Sequence, residues 1–261
     1  GSRIYYGENA DNEVILLECR NAAGEVIAAI CNWATHSTVL HPENTLLTGD
    51  FAGAVCEELY RLRGYYPAMM VGAAGDCSNR AQRQGTDFAE LARVAKGTAA
   101  EIHKISCDTR LVLQDEGDEC VTYRVHYQPE DCRAEVLEEI DRLQEKLASA
   151  VDFQEKKLLG DSIRSLERRL DISEVDITLF SSIIRLGDLE IVSSPGELGS
   201  ALGIELKKHS RSRCCLICGY TNGYKSYILQ PELYRDSARC AGSRYRPCDV
   251  RGYIDAIKEK M

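Results

Sequence analysis

The chain has 261 residues, of which 44% are hydrophobic and 28% charged, which is ordinary for a globular protein that buries a sizeable core. Its formal net charge of −9 disfavours nucleic acid as a partner, because an acidic surface repels phosphate backbones. No apolar run approaches the roughly 18 residues that a membrane-spanning helix needs. These totals argue against nucleic-acid-binding and integral membrane proteins, and leave enzymes and binding proteins.

Twelve cysteines are the most unusual feature of the composition. A chain of this size does not need a disulfide framework, and Cys19, Cys31 and Cys215 lie in apolar, strand-like stretches where a buried thiol acts as a small hydrophobe. We therefore expect reduced thiols and a cytosolic environment, or a secreted protein if a leader has been removed upstream of the initial Gly-Ser. The Cys-x-x-Cys spacing that ends at Cys218 lacks the second pair that a zinc knuckle requires.

The first hundred residues alternate between predicted strands and helices. Apolar runs at 14–19 and 26–33 predict a β-hairpin, and a short apolar run predicts a strand at 68–71. Helical periodicity covers 50–63 and 87–105. This alternation predicts an α/β fold in which the loops gather at one edge of a mixed sheet.

The second half continues the mixed pattern. The remaining predicted strands are 111–127, 176–186, 189–192 and 214–218, and the remaining predicted helices outside the segment 132–170 are 198–209 and 250–260. We expect one α/β domain over 1–261, a mixed sheet with flanking helices.

Residues 132–170 differ from their surroundings. Val136, Ile140, Leu143 and Leu147 recur at helical spacing between charged residues, and a break near 148–153 predicts two antiparallel helices. A helical hairpin packed on the domain is favoured over a coiled-coil interaction arm, because the apolar repeat is short. If the segment acts as an arm, it offers a surface for homo-oligomer formation.

Four loops that follow predicted strands carry reactive side chains: His36, Ser78, Glu197 and a tyrosine-rich stretch. Loops beyond strand ends converge in α/β sheets, so a metal site here would be assembled from distant segments. His36 and Glu197 are suitable zinc ligands by type. Each has a structural alternative: a polar loop residue for His36, and an acid in the first turn of a helix for Glu197. The residues alone do not indicate which of Tyr220, Tyr224 and Tyr227 would bind a metal, and all three are also candidate core aromatics.

Four motifs, in order, resemble the catalytic domain of the neutral ceramidases. They are Asn-Trp-Ala-Thr-His-Ser-Thr at 32–38 with Leu-Thr-Gly-Asp at 47–50, Gly-Asp-Cys-Ser-Asn at 75–79, Pro-Gly-Glu at 195–197, and Tyr-Thr-Asn-Gly-Tyr-Lys-Ser-Tyr at 220–227. The resemblance implies a zinc ion held by His36, Glu197 and Tyr227. It implies Ser78 as a catalytic residue, with Asp76 beside it in the same motif.

The resemblance also has departures. A further zinc-binding histidine of the family lies upstream in a His-Thr-His segment, and none of the five histidines here precedes His36. We therefore expect a catalytic domain truncated at its amino end. Asn79 stands where the family has proline, and we expect no counterpart of the family's carboxy-terminal sandwich domain.

The expected activity is zinc-dependent hydrolysis of a linear N-acyl amide, with a small-molecule or lipid amide as substrate. Ser78 would act as nucleophile or as a donor to the developing oxyanion, and the sequence leaves both roles open. The alternatives are a metallohydrolase of the same fold acting on a different small amide or ester, and a non-catalytic binding or scaffold protein with a degenerate site.

Overall fold

The computed structural model describes residues 10–128, 133–235 and 244–261. Their strands and helices alternate as the sequence predicts, and the mixed α/β class is confirmed. In chain order the elements are β1 (Val14–Arg20), β2 (Val26–Trp33), α1 (Asp50–Arg63), β3 (Ala68–Val71), α2 (Phe88–His103), β4 (Asp115–Tyr127), α3 (Arg133–Ser149), α4 (Phe153–Leu170), β5 (Val175–Leu186), β6 (Leu189–Ser193), β7 (Glu197–Leu198), α5 (Ser200–His209), β8 (Cys214–Cys218), β9 (Tyr227–Ile228) and α6 (Pro247–Lys260).

The strands form two larger sheets and one short pair. In the first sheet β2 lies between antiparallel β1 and parallel β3. In the second the order is β4-β5-β6-β8, with only β6 and β8 parallel. The side chain of Asn32 ties β3 to β8, because its Nδ2 donates to the carbonyls of Met70 at 2.9 Å and Ile217 at 2.8 Å. The two sheets therefore meet along β3 and β8.

The carboxyl ends of β2, β3, β8 and β6 lie side by side. Three backbone hydrogen bonds show this: Gly72 N to Trp33 O at 2.9 Å, Gly219 N to Val71 O at 2.9 Å, and Ser194 N to Cys218 O at 2.8 Å. Each bond joins the first residues of one loop to the last residue of a neighbouring strand. The loops of these four strands therefore emerge at one edge, as predicted.

Helices cover the two sheets with separate apolar clusters. The periodicity of α1 predicts a buried face of Phe51, Val55, Leu59 and Leu62. On the first sheet the first three are buried, whereas Leu62 is 43% exposed. Helix α2 begins after Asp87, whose carboxylate accepts from the backbone N–H of Glu90 at 2.8 Å. The second sheet packs against α5 and α6 around a larger cluster.

Helices α3 and α4 form the predicted hairpin, whose expected first residue, Cys132, lies outside the described ranges. The hairpin extends from the end of the β4–β5 ladder, where Tyr127 is paired with Val175. Its buried apolar side chains form a cluster of their own: Val136, Ile140, Leu143, Ile163 and Leu166. The apolar side chains in this cluster come from α3 and α4 alone. They pack the two helices against each other, whereas the sequence predicts a hairpin that packs on the domain.

The thiols divide between core and surface. Cys31 and Cys215 are buried as expected, and burial raises the pKa of each to about 12. Cys19 was expected to be buried but is exposed, because it lies at the end of β1 beside a bulge. Within the described ranges, no helix has both the length and the apolar character needed to cross a membrane.

Candidate functional site

Two loops at the common sheet edge are joined by backbone hydrogen bonds into one frame, made of the segments 194–199 and 219–228. The segment 194–199 leaves β6, the segment 219–228 leaves β8, and the short strands β7 and β9 pair in parallel with Glu197 opposite Tyr227. Further backbone bonds run from Glu197 N to Ser226 O at 2.9 Å and from Lys225 N to Pro195 O at 2.7 Å. Glu197 therefore lies in a strand, not in the first turn of a helix.

The second of these loops contains an unusual backbone. Tyr220, Asn222 and Ser226 have φ angles of 60°, 64° and 67°, in the left-handed region that non-glycine residues seldom adopt. For a tyrosine this conformation costs free energy, and the surrounding hydrogen bonds must hold it. One of them runs from Tyr220 N to Gly196 O at 3.2 Å. The result is that the ring of Tyr220 is directed towards His36 and Glu197.

Glycine allows the third loop to approach this frame. Gly75 donates its N–H to Leu198 O at 2.8 Å, and a Cβ at Gly75 would lie only 2.3 Å from the carbonyl oxygen of Glu197. Only glycine fits such a close approach of two backbones. The loop 72–79, which carries Ser78, is thereby held against β7.

His36 and Glu197 meet at the centre of the site. His36 Nε2 lies 3.5 Å from Glu197 Oε2, and the Glu197 side chain is only 8% exposed. The Tyr220 hydroxyl lies 3.1 Å from His36 Nδ1 and donates to Glu197 Oε2 at 3.3 Å. The Tyr224 hydroxyl donates to Glu197 Oε1 at 2.6 Å. Both carboxylate oxygens thus accept from tyrosine hydroxyls.

The two tyrosines are held in their protonated form. Burial, followed by the negative charge and hydrogen bonding of Glu197, raises the pKa of Tyr220 well above its ordinary value. Burial and the hydrogen bond to Glu197 do the same for the pKa of Tyr224. Both hydroxyls are therefore donors to the carboxylate at neutral pH. Sequence reasoning named these tyrosines only as alternatives to Tyr227.

The other predicted residues lie around this centre. Asp76 accepts at Oδ1 from Ser200 N at 2.7 Å and from the Ser200 hydroxyl, and at Oδ2 from Gln230 at 2.9 Å. The Ser78 hydroxyl accepts from Arg80 N at 3.2 Å. Its neighbour Asn79 donates to the backbone carbonyl of His36 at 3.3 Å, which places the Ser78 loop beside His36.

Asp50 holds the loop that carries His36. It has a φ of 46°, and its carboxylate accepts from Val39 N at 2.8 Å and Leu40 N at 3.1 Å. It is the first residue of α1, whose N-cap is Gly49. Asp50 thus supports the position of His36 through the backbone of its loop.

The donors at the site fit a zinc ion in part. Two ligands bound to one tetrahedral zinc at about 2.0–2.1 Å lie roughly 3.3–3.4 Å apart. The separation of His36 Nε2 and Glu197 Oε2 is 3.5 Å. Among the described residues no group of three or more His, Cys, Asp or Glu side chains could hold a metal. Any metal here would therefore need tyrosine, water or a residue outside the described ranges as well.

His41 is the next histidine along the chain and lies further along the loop that carries His36. Its Nδ1 accepts from Glu43 N at 3.4 Å, and its ring lies 3.7 Å from the Glu43 carboxylate with half of the side chain exposed. Its described contacts are with its own loop and with Thr86. These contacts lie apart from the pair of His36 and Glu197.

Comparison with solved structures establishes the fold. The chain is similar to neutral ceramidase from Pseudomonas aeruginosa, with a TM-score of 0.64 and 17% identity, covering 97% of this chain and 48% of that one. A ceramidase complexed with C2 gives a TM-score of 0.61 and 16% identity, covering 97% of this chain and 49% of that one. The chain spans about half the length of these ceramidases. No family model and no curated protein matches the sequence.

Proposed function

We propose that this chain is a zinc-dependent hydrolase of a linear amide bond. The observation that carries the proposal is the 3.5 Å separation of His36 Nε2 and Glu197 Oε2 at the edge where four strands end. This separation suits two ligands of a single zinc. The shared fold with neutral ceramidases supports the same reading.

In this proposal His36, Glu197 and Tyr227 hold the metal. Tyr227 belongs to the set on the motif resemblance at 220–227, and its backbone is paired with that of Glu197 across β7 and β9. A zinc ion supplies Lewis-acid polarisation of a carbonyl oxygen. Ser78 either donates to the developing oxyanion while water attacks, or attacks the acyl carbon itself. In the second case the C–N bond breaks, the amine leaves with the hydroxyl proton, and water hydrolyses the acyl-serine ester. Asp76 fixes the loop that carries Ser78.

The proposed substrate is an N-acyl amide, either a lipid or a smaller molecule. A lipid amide is supported by the fold shared with ceramidases, and a smaller amide or ester is the alternative substrate. A panel of ceramide, short N-acyl amides and the matching esters, each with zinc present, separates these substrates.

Turnover of that panel by variants tests the assignment. We expect His36→Ala and Ser78→Ala each to lower kcat/KM by at least about 100-fold, the order of effect of losing a metal ligand or a catalytic hydroxyl. Tyr60→Phe is the matched control, because Tyr60 is 45% exposed and stacks on Tyr66 at a surface away from these loops. Unchanged turnover in both test variants would contradict the proposal.

A second role, self-association, is favoured by the helical hairpin. Its apolar cluster lies between α3 and α4, so the outer faces of both helices remain available to a second copy. We propose that two chains associate through these faces. Sedimentation velocity at several concentrations tests this, with a single monomer species at all of them as the opposing result.

A further inference from the structure

The hydroxyl of Tyr220 contacts both His36 and Glu197. It lies 3.1 Å from His36 Nδ1 and 3.3 Å from Glu197 Oε2. A tyrosine hydroxyl has one proton to donate and can accept a hydrogen bond as well. A carboxylate can only accept, and the Tyr220 hydroxyl donates its proton to Glu197 Oε2.

The direction of the second bond follows from the first. With its proton donated to Glu197, the Tyr220 oxygen can serve only as an acceptor towards His36. His36 then carries its proton on Nδ1, and Nε2, which lies 3.5 Å from Glu197 Oε2, is the unprotonated nitrogen that suits a metal. Metal-binding histidines generally donate their other ring N–H in this way, which fixes both the tautomer and the orientation of the ring.

We infer that Tyr220 is a positioning residue that sets the tautomer and orientation of His36 for metal binding at Nε2. The inference rests on the proposed zinc site. It assigns Tyr220 a role different from that of Tyr227, although both belong to the same tyrosine-rich stretch. The left-handed backbone of Tyr220, with a φ of 60°, is what directs its ring to this place.

Tyr224 provides the internal comparison. Its hydroxyl donates to Glu197 Oε1 at 2.6 Å, and its ring stacks on that of Tyr220 with the planes 7° apart. None of its described hydrogen bonds reaches His36. The two tyrosines therefore share the carboxylate, and the contact with the imidazole distinguishes them.

The first experiment needs no zinc. Nitrogen-15 NMR of the metal-free chain, labelled at its five histidines, reports which ring nitrogen of His36 holds the proton, with His36→Ala to assign the signal. At a pH where the ring is neutral, we expect the proton on Nδ1 in the wild type and in Tyr224→Phe. In Tyr220→Phe we expect it on Nε2, where Glu197 Oε2 can accept it. The same tautomer in all three proteins would overturn the inference.

The second experiment measures zinc affinity by competition with a chromophoric chelator. We expect Tyr220→Phe to weaken zinc binding by about 10-fold to 100-fold, the usual effect of removing a partner of a metal-binding histidine. An unchanged Kd would overturn the positioning role. If the wild type binds no zinc, the proposed function fails, whereas the NMR result still decides whether Tyr220 sets the tautomer of His36.

Discussion

Gly75 controls how closely the Ser78 loop approaches Glu197. A Cβ at this position would lie 2.3 Å from the carbonyl oxygen of Glu197, a backbone atom that cannot move without shifting β7. We therefore expect Gly75→Ala to lower the free energy of unfolding by about 1–3 kcal/mol, as in other overpacked sites. It should also weaken zinc binding.

Gly97→Ala is the matched control for that substitution. Gly97 lies inside α2, and an added Cβ would meet nothing within 4 Å beyond its own helix. Alanine should stabilise the helix by about 0.5–1 kcal/mol. Urea denaturation of both variants provides the measurement, and equal midpoints for the two would contradict the role given to Gly75.

Asp76 makes structural contacts besides the catalytic role that its motif implies. The sequence grouped it with Ser78 as catalytic, whereas its carboxylate accepts from Ser200 at the start of α5 and from Gln230. In Asp76→Asn one carboxylate oxygen becomes an NH₂ group, which faces an N–H donor and cannot accept from it. We therefore expect the free energy of unfolding to fall by about 1–3 kcal/mol. Ser78→Ala should leave stability within about 0.5 kcal/mol. Chemical denaturation that ranks the two variants in the reverse order would contradict this.

At the scale of elements, the sequence predicts most of the fold. Apolar runs locate β2, β3 and β8 at their observed bounds, because strands at a sheet junction are largely apolar. It misses β7 and β9, since strands of two residues have no period. It also cannot select among the three tyrosines, because the left-handed backbone at Tyr220 is set by contacts with the loop 194–199 and not by local sequence.

Glu90, in the first turn of α2, should stabilise the protein in a pH-dependent way. Hydrogen bonds from Arg93 and from Gln84 N lower the pKa of Glu90 from its usual 4.5 to about 2. A carboxyl whose pKa is lowered on folding stabilises the protein above its unfolded pKa, and that stability is lost as the pH falls through its folded pKa. The contribution of Glu90 should therefore decline between pH 4.5 and about 2.

Thermal unfolding of the wild type and Glu90→Gln across this pH range checks the prediction. The wild type should be the more stable at neutral pH, and the difference should shrink towards pH 2. Glu101→Gln, in the same helix, removes an exposed ion pair with Lys104 and should change stability by no more than about 1 kcal/mol. A difference for Glu90→Gln that stays constant with pH would contradict the assignment.

At the scale of the whole molecule, the hairpin is separable from the two sheet cores. Its apolar cluster shares no residue with the clusters that cover the sheets. Joining Tyr127 to Val175 by a short turn containing Asn and Gly removes both helices and leaves the β4–β5 ladder closed. We expect the shortened chain to fold, to keep its affinity for zinc and to lose self-association.

Circular dichroism and sedimentation of the shortened chain provide the check. A chain that fails to fold would show that α3 and α4 support the sheets, and one that still associates would place the contact between copies elsewhere.

Zinc content per chain is the most direct test of the central claim. After dialysis against zinc and then against metal-free buffer, elemental analysis should find about one zinc ion per wild-type chain, as expected for a single tetrahedral site. It should find almost none in His36→Ala or Glu197→Gln. A wild-type chain that retains no zinc, or variants that retain as much as the wild type, would contradict the assignment of His36 and Glu197 as metal ligands.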